Sequence, residues 1–308
     1  MKIKKVKGST FCIDTGRTYI PFYKINDEEI IMLDSGLAEG ERKGIDKILE
    51  ENNLNVAAIV CSHAHIDHIG NVKHLKNKYN STIVMPTYEA LECSSLINLK
   101  LYRSSSYTLP YVKEHFGHMV CKTDIMISDN QNSIYVCGIK FEILHTPGHS
   151  PAHICIVTPD NVAYVADALI SYEVMKDAKM PYVFMLKEDL KSKEKLYSLK
   201  CSKYIVAHKG IYDDITNLVT DNMDFYKNIA QNLYNLINDS MTMEQIVKCA
   251  IKNWNISVKS IYKYSIMETI VKSYIEYLIE IEMIESIIED GSLKYIKKCS
   301  YNNVKISC

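Results

Sequence analysis

The chain has 308 residues, 47% of them hydrophobic and 24% charged, with a formal net charge of -1. That balance is the profile of a globular protein without a cationic face for a polyanion, and no run approaches the ~20 apolar residues of a membrane span. Ten cysteines are spread from Cys12 to Cys308 with no CxxC pair, which argues for reduced thiols and against a disulfide framework. Cys61, Cys137 and Cys155 fall in apolar runs and are expected to be small buried hydrophobes, whereas Cys308 is expected at an exposed, frayed end. The basic start Met1-Lys2-Ile3-Lys4-Lys5 is followed by Val6-Lys7-Gly8-Ser9-Thr10 and not by an apolar stretch. No signal peptide and a cytoplasmic location are therefore expected.

In chain order, residues 19–25 and 30–34 flank the polar turn Asn26-Asp27-Glu28-Glu29 and read as a hairpin. A helix over 41–53, a strand over 56–61, a helix over 71–79 and a strand over 82–85 follow, closed by Pro86. Residues 88–119 are rich in Ser, Tyr and Leu, are broken by Pro110 and Gly117, and read as a helical insertion. Strands over 133–136 and 140–144 pair around Cys137-Gly138, followed by strands over 153–158 and 162–165, a helix over 187–199 and a last strand over 203–207. Two halves with the same strand-and-helix grammar imply two sheets packed face to face with helices outside.

From about residue 220 the pattern becomes long and amphipathic, with helices expected over 222–238, 242–253, 258–264 and 265–282. A hairpin is expected over 285–296 around Glu289-Asp290-Gly291. Helices followed by such a hairpin resemble a winged-helix module. Acids slightly outnumber bases in this segment, so it lacks the phosphate-binding face that DNA requires, and a role in homodimer contact or pocket shaping is favoured. The division expected is 1–218 for a catalytic domain and 219–308 for a helical, winged-helix-like domain.

The chemistry concentrates in Ser62-His63-Ala64-His65-Ile66-Asp67-His68-Ile69-Gly70, directly after the apolar run 56–61. Three imidazoles and a carboxylate in six positions are hard to explain as packing. Period-2 geometry sends His63 and His65 to one side, where they can share a metal. Asp67 and His68, at the start of the following helix, turn back toward the same cavity and can serve a second. Downstream, Thr146-Pro147-Gly148-His149-Ser150 offers a loop histidine, an apolar strand ends in Asp167, and another ends in His208.

In this order, the HxHxDH motif, the TPGH loop, the strand-end Asp and the final His resemble the metallo-β-lactamase fold superfamily, in its glyoxalase II-like and lactonase-like branches. The likeness covers roughly the first 215 residues. It implies an α/β fold, a four-layer αββα sandwich, carrying the C-terminal winged-helix-like extension. It implies that His63, His65 and His149 bind a first metal, that Asp67, His68 and His208 bind a second, and that Asp167 bridges them. Asp67 would also manage a proton, and Asp34 in Leu33-Asp34-Ser35-Gly36 would orient a ligating histidine. Two divalent ions, Zn first and Fe or Mn as alternatives, suit these ligands.

The activity implied is hydrolysis by a metal-bridging hydroxide of a thioester, lactone or related ester-like bond in a small metabolite. Alternatives are a mononuclear-iron persulfide dioxygenase, a phosphodiesterase or nuclease of the same superfamily, and a metal-sensing DNA-binding regulator. Lys209, Tyr107 and His118 are expected to line the substrate pocket. His145 and His153 are expected in structural or supporting roles. A long nucleic-acid substrate and a membrane partner are not expected.

Overall fold

The computed structural model of the chain describes residues 1–103 and 107–298; the expectation for Cys308 lies outside them. The first sheet opens with an antiparallel meander, β1 (Lys2–Lys7), β2 (Thr10–Asp14), β3 (Tyr19–Lys24) and β4 (Glu29–Leu33). Helix α1 (Ala38–Glu51) then leads to β5 (Asn55–Val60), which pairs parallel to β4. A short helix α2 (Ile66–Ile69), α3 (Val72–Tyr79) and β6 (Thr82–Pro86) follow. Next come three short helices, α4 (Thr87–Glu92), α5 (Leu96–Arg103) and α6 (Leu109–Phe116), and then β7 (Ile125–Ile127). Strands β6 and β7 extend the sheet in parallel, giving seven strands in the order β1 to β7.

The second sheet contains β8 (Ser133–Val136), β9 (Ile139–His145), β10 (Ile154–Val157) and β11 (Val162–Ala166), followed after α7 (Tyr172–Asp177) and α8 (Leu186–Lys195) by β12 (Lys203–Val206) and β13 (Gly210–Tyr212). Its order is β13-β12-β11-β10-β9-β8. Strands β5 and β11 read as unbroken apolar runs because they are covered on both faces; all five residues of β11 are buried. One core joins the sheets: Ile31, Leu33, Ala58 and Val60 of the first pack with Phe141, Ile154, Tyr164 and Ile205 of the second. With the helices that connect their strands, the two packed sheets make the four-layer αββα sandwich expected from the sequence.

The chain divides into two compact units, residues 1–177 with 188–222, and residues 178–187 with 223–308. Helix α9 (Thr216–Leu236) is continuous through the 218/219 position, so the change of texture seen near residue 220 falls inside a helix. The second unit contains β14 (Met241–Thr242), α10 (Met243–Asn253), α11 (Ile261–Glu280), and the hairpin β15 (Ile284–Glu289) and β16 (Ser292–Lys297). Its small sheet has the order β14-β16-β15. Thr242 and Gln245 form a capping box that starts α10, and the Ser260 hydroxyl accepts from the Lys263 amide to start α11. Among the described residues no helix is long and apolar enough to cross a membrane.

Several sequence expectations change. Residues 258–264 and 265–282 form one helix from Ile261, because nothing at Tyr264-Ser265 breaks the chain and the cap lies at Ser260. Asp67 and His68 belong to their own helical turn, α2, and not to the helix that follows. Cys61 and Cys155 are buried but Cys137 is exposed. It forms the β8/β9 turn with Gly138, both at positive φ (49° and 77°), so its side chain leaves the sheet. Strand β1 escapes the sequence pattern because it is Lys-rich and lies at a sheet edge with only partial burial.

Phe141 is fully buried between the sheets. Replacing it by Ala should cost about 3–5 kcal/mol of unfolding free energy, read from urea denaturation followed by circular dichroism.

Candidate metal centre

Five strands deliver the candidate residues to one edge of the sandwich. Strands β4 and β5 run parallel and end at Asp34 and at the loop that holds His63 and His65. Strands β9 and β11 run in one direction on either side of β10, and β12 is parallel to β11, so the TPGH loop, Asp167 and His208 leave the second sheet at a common edge. The sheets are tied there by main-chain hydrogen bonds from Tyr19 N to Ala207 O (2.7 Å) and from Ile154 N to Ser62 O (3.1 Å). Asp34, Ala166 and Lys209 have φ of 65°, 45° and 62°. Non-glycine residues in that region carry backbone strain, a recurrent feature of working sites.

His65 Nδ1 lies 2.9 Å from His63 Nε2 and 3.0 Å from His149 Nε2. Asp167 Oδ2 lies 3.3 Å from His149 Nε2, 3.3 Å from His68 Nε2 and 3.4 Å from His208 Nε2. Asp67 Oδ2 is 3.3 Å from His208 Nε2 and 3.9 Å from His68 Nε2. Ligand atoms of His63, His65, His149 and Asp167 thus fall within 4.8 Å of one another, as do those of Asp67, His68 and His208. Nitrogen ligands of one tetrahedral ion at ~2.0–2.1 Å stand about 3.3 Å apart, close to these spacings. His68 Nε2 and Asp167 Oδ1 are buried without a hydrogen-bond partner among the described residues. Buried polar atoms are rarely left so, and this donor set fits divalent cations.

Asp34 is also within reach of His63 and His68, but its oxygens are already engaged. Oδ1 accepts from the Ser62 amide (2.7 Å), and Oδ2 accepts from the Ser62 hydroxyl (2.7 Å), His68 Nδ1 (2.8 Å) and the Tyr164 hydroxyl (2.7 Å). Its work is to orient. With Nδ1–H on Asp34, His68 turns its Nε2 toward Asp67 and Asp167. With the Ser62 hydroxyl donating to Asp34, Ser62 Oγ accepts from His63 Nδ1 at 3.0 Å, which leaves His63 Nε2 for the cluster. His153 acts on the opposite side: its Nδ1 faces Thr146 Oγ1 at 2.8 Å and its Nε2 accepts from the Asp167 amide at 3.3 Å.

The charges follow from this packing. Burial would lower the pKa of His68, but the carboxylates of Asp167, Asp67 and Asp34 outweigh it and hold that pKa well above the usual imidazole value. Asp167 pushes His208 up to about 10. Burial opposes ionisation of Asp67 and Asp167, yet His68 and His208 keep both carboxylates ionised, well below the ordinary carboxylate range. His63 is held low by burial and by the neighbouring imidazoles of His68, His65 and His149. Without a metal, the cluster therefore carries protons on His68 and His208.

Lys209, Tyr107 and His118, the residues expected to line the substrate pocket, have different local surroundings. Lys209 is paired with Glu173 of α7, Nζ to Oε1 at 2.7 Å. Tyr107 is buried and packs its ring on Tyr111 and Phe116, with centroids 4.9 and 6.1 Å apart. His118, in the 3-10 turn Gly117–Met119, has its pKa lowered by burial and by the charges of Arg42 and Lys73. His145 Nε2 meets Gln131 O at 2.9 Å.

Three supporting groups are not apparent from sequence. Tyr164 sits in an apolar strand, where a buried hydroxyl needs a partner; that partner is Asp34. Glu89 of α4 is buried and carries no signal beyond its helix. Asp189 of α8 packs against the TPGH loop, where a Cβ on Gly148 (φ 134°) would come within 2.2 Å of Asp189 main-chain atoms. Ser192 Oγ donates to Pro147 O at 2.7 Å beside it.

The fold resembles two solved structures: a metallo-β-lactamase family protein from Thermus thermophilus (TM-score 0.67, 17% identity, covering 91% of this chain and 94% of that one), and a β-lactamase domain protein from Burkholderia ambifaria (TM-score 0.69, 13% identity, 96% and 95%). The family model of the metallo-β-lactamase superfamily matches residues 16–116, which contain Asp34 and the HxHxDH motif. Over residues 16–116 the chain is thus similar to the metallo-β-lactamase superfamily. In sequence, a hydroxyacylglutathione hydrolase from Haemophilus influenzae is 29% identical over 150 residues, which are 47% of this chain and 63% of that protein. The chain spans between 60% and 64% of the length of the first four curated relatives it matches.

Two outcomes follow from this geometry. Divalent metal uptake should release protons, since His208 holds one up to about pH 10 and must lose it to ligate. The apparent affinity should rise with pH through neutrality, as calorimetry in buffers of different ionisation enthalpy would show. Gly148→Ala should destabilise the protein by more than the ~1 kcal/mol of an ordinary left-handed glycine site, because the methyl meets the main chain of α8; thermal unfolding of the variant measures it.

Proposed function

We propose that the domain is a dinuclear metal-dependent hydrolase that cleaves a thioester, or a related ester-like bond, in a small metabolite. The observation that carries this reading is the sharing of one carboxylate oxygen. Asp167 Oδ2 stands 3.3 Å from His149 of one ligand group and 3.3 and 3.4 Å from His68 and His208 of the other. In this reading His63, His65 and His149 would hold a first cation and Asp67, His68 and His208 a second, with Asp167 available to either, and Zn²⁺ is the ion best suited to the donors. Two such cations, when bound, supply Lewis acidity that polarises an acyl carbonyl and makes water acidic enough to attack at neutral pH.

The chain's own residues supply order and proton handling. Asp34 and Ser62 hold His68 and His63 with their Nε2 atoms toward the cluster, and His153 orients Asp167 through its amide. Asp67, with its side chain 30% exposed against 7% for Asp167, is the cluster carboxylate placed to exchange a proton with solvent. The likeness to a hydroxyacylglutathione hydrolase supports a thioester among the ester-like bonds.

Protein stripped by a chelator and reloaded with Zn, Mn or Fe should bind two equivalents per chain and regain thioester hydrolysis. Failure to cleave any thioester, lactone, β-lactam or phosphodiester with any of these metals would end the hydrolase reading. One iron per chain with oxygen uptake on a persulfide would replace it by the dioxygenase. His208→Ala should lose the second equivalent more than the first in elemental analysis, and equal loss of both would contradict the ligand assignment.

A further inference from the structure

One buried acid near the cluster is left unused by this reading. Glu89, on the six-residue helix α4, is 1% exposed. Its Oε2 accepts the Ala64 amide at 2.9 Å, and its Oε1 accepts the Ser150 hydroxyl at 2.6 Å and the Ala152 amide at 3.0 Å. Ala64 lies between His63 and His65; Ser150 follows His149, and Ala152 precedes His153. A single carboxylate therefore grips both loops that carry the first histidine group, one from each sheet.

All three donors are neutral, and a buried carboxylate is costly unless its oxygens are satisfied. An apolar residue of similar volume would fill the space at lower cost in desolvation. What only a carboxylate offers here is two acceptor oxygens, one for each loop. Glutamine has the same shape but a single acceptor oxygen; the Ser150 hydroxyl can turn to accept from its NH₂, but the main-chain amides of Ala64 and Ala152 can only donate. It therefore leaves one of those two amides, and so one loop's main chain, without an acceptor.

We propose that Glu89 is a positioning residue: it latches the loop of His63 and His65 to the loop of His149, and so sets the metal affinity of that group while leaving the Asp67, His68 and His208 group little changed. The metal part of this inference rests on the two-cation reading; the latch itself does not. His63 and His149 come from different sheets, and their nitrogens meet at His65 Nδ1 within 3.0 Å. A small relative shift of the loops would open that spacing, whereas Asp34 and His68 are tied to each other independently of Glu89.

The test has two arms on the full chain. In the first, metal-free wild type, Glu89→Gln, His208→Ala and the double variant are titrated with Co²⁺ while the visible d–d absorption is followed. In the His208→Ala background, where the second group lacks a ligand, Glu89→Gln should weaken binding by ~10–100-fold, the usual range for residues that support metal ligands. The Asp67, His68 and His208 group in the His208-intact protein should shift by less than about threefold. Equal weakening of both groups would mark a general loss of stability and overturn the proposal. In the second arm, amide hydrogen exchange of metal-free protein should be about tenfold or more faster at Ala64 or Ala152 in Glu89→Gln, with Ile59 and Ile156 unchanged. Unchanged exchange at both alanines would overturn the latch. If wild type bound no Co²⁺, the two-cation reading would fail and the exchange arm would decide the latch alone. Should Glu89→Gln not fold, Ser150→Ala removes one of the three donors and should show the same pattern at about two- to tenfold; no change in either arm for that variant would likewise overturn the proposal.

Discussion

The site depends on the buried carboxylate of Asp34. Four donors converge on it, from Ser62 (amide and hydroxyl), His68 and Tyr164, and they come from both sheets. Tyr164 reaches across from β11, so the carboxylate that orients His68 also joins the sandwich at the edge where its loops meet. A carboxylate with this many partners is satisfied in the interior; one that lost them would be expensive to keep there. Rigidity of the ligand edge and stability of the sheet pair are thus one requirement.

Around that anchor, the protein separates two tasks. Strand direction brings the residues close, because β4 and β5 of the first sheet and β9, β11 and β12 of the second all end at the same edge. Loop chemistry then aims them. Ser62, His153 and Glu89 hold ring tautomers or main-chain amides, and Asp189 lies where only a glycine at 148 leaves room for the chain. This supporting layer is the general condition for a site that must not relax when its charges are unbalanced. Opposed carboxylates and imidazolium groups at the centre would hold the loops in place even before a cation enters.

Much of this is legible in the chain. The apolar runs 56–61 and 162–165 mark β5 and β11 closely, because strands covered on both faces need unbroken hydrophobic stretches. The HxHxDH spacing is too dense in imidazole for packing alone. The loop position of His149 and the strand-end positions of Asp167 and His208 become meaningful only as a set. The N-terminal strand β1 is hidden because it is lysine-rich and sits at an edge, where side-chain alternation is not enforced by burial. Cys137 misleads because a two-residue turn can place an apolar residue outside the sheet. Tyr107 shows a different limit: spacing in an insertion rich in aromatic residues does not tell which rings meet, and the packing of its ring on Tyr111 and Phe116 is visible only in the fold.

The amino-acid sequence by itself determined which side chains are candidates for the chemistry and roughly which strand each follows, since ligand type and hydrophobic run length are local properties. Only the tertiary structure decided how those side chains relate: that Asp167 faces histidines of both groups, that Asp34 is spent on hydrogen bonds, that Lys209 is neutralised by Glu173, and that Glu89 spans two loops. Those facts depend on segments as far apart as Asp34 and Tyr164 meeting in space. Contacts of that separation follow from sheet order and loop packing, which no spacing along the chain encodes.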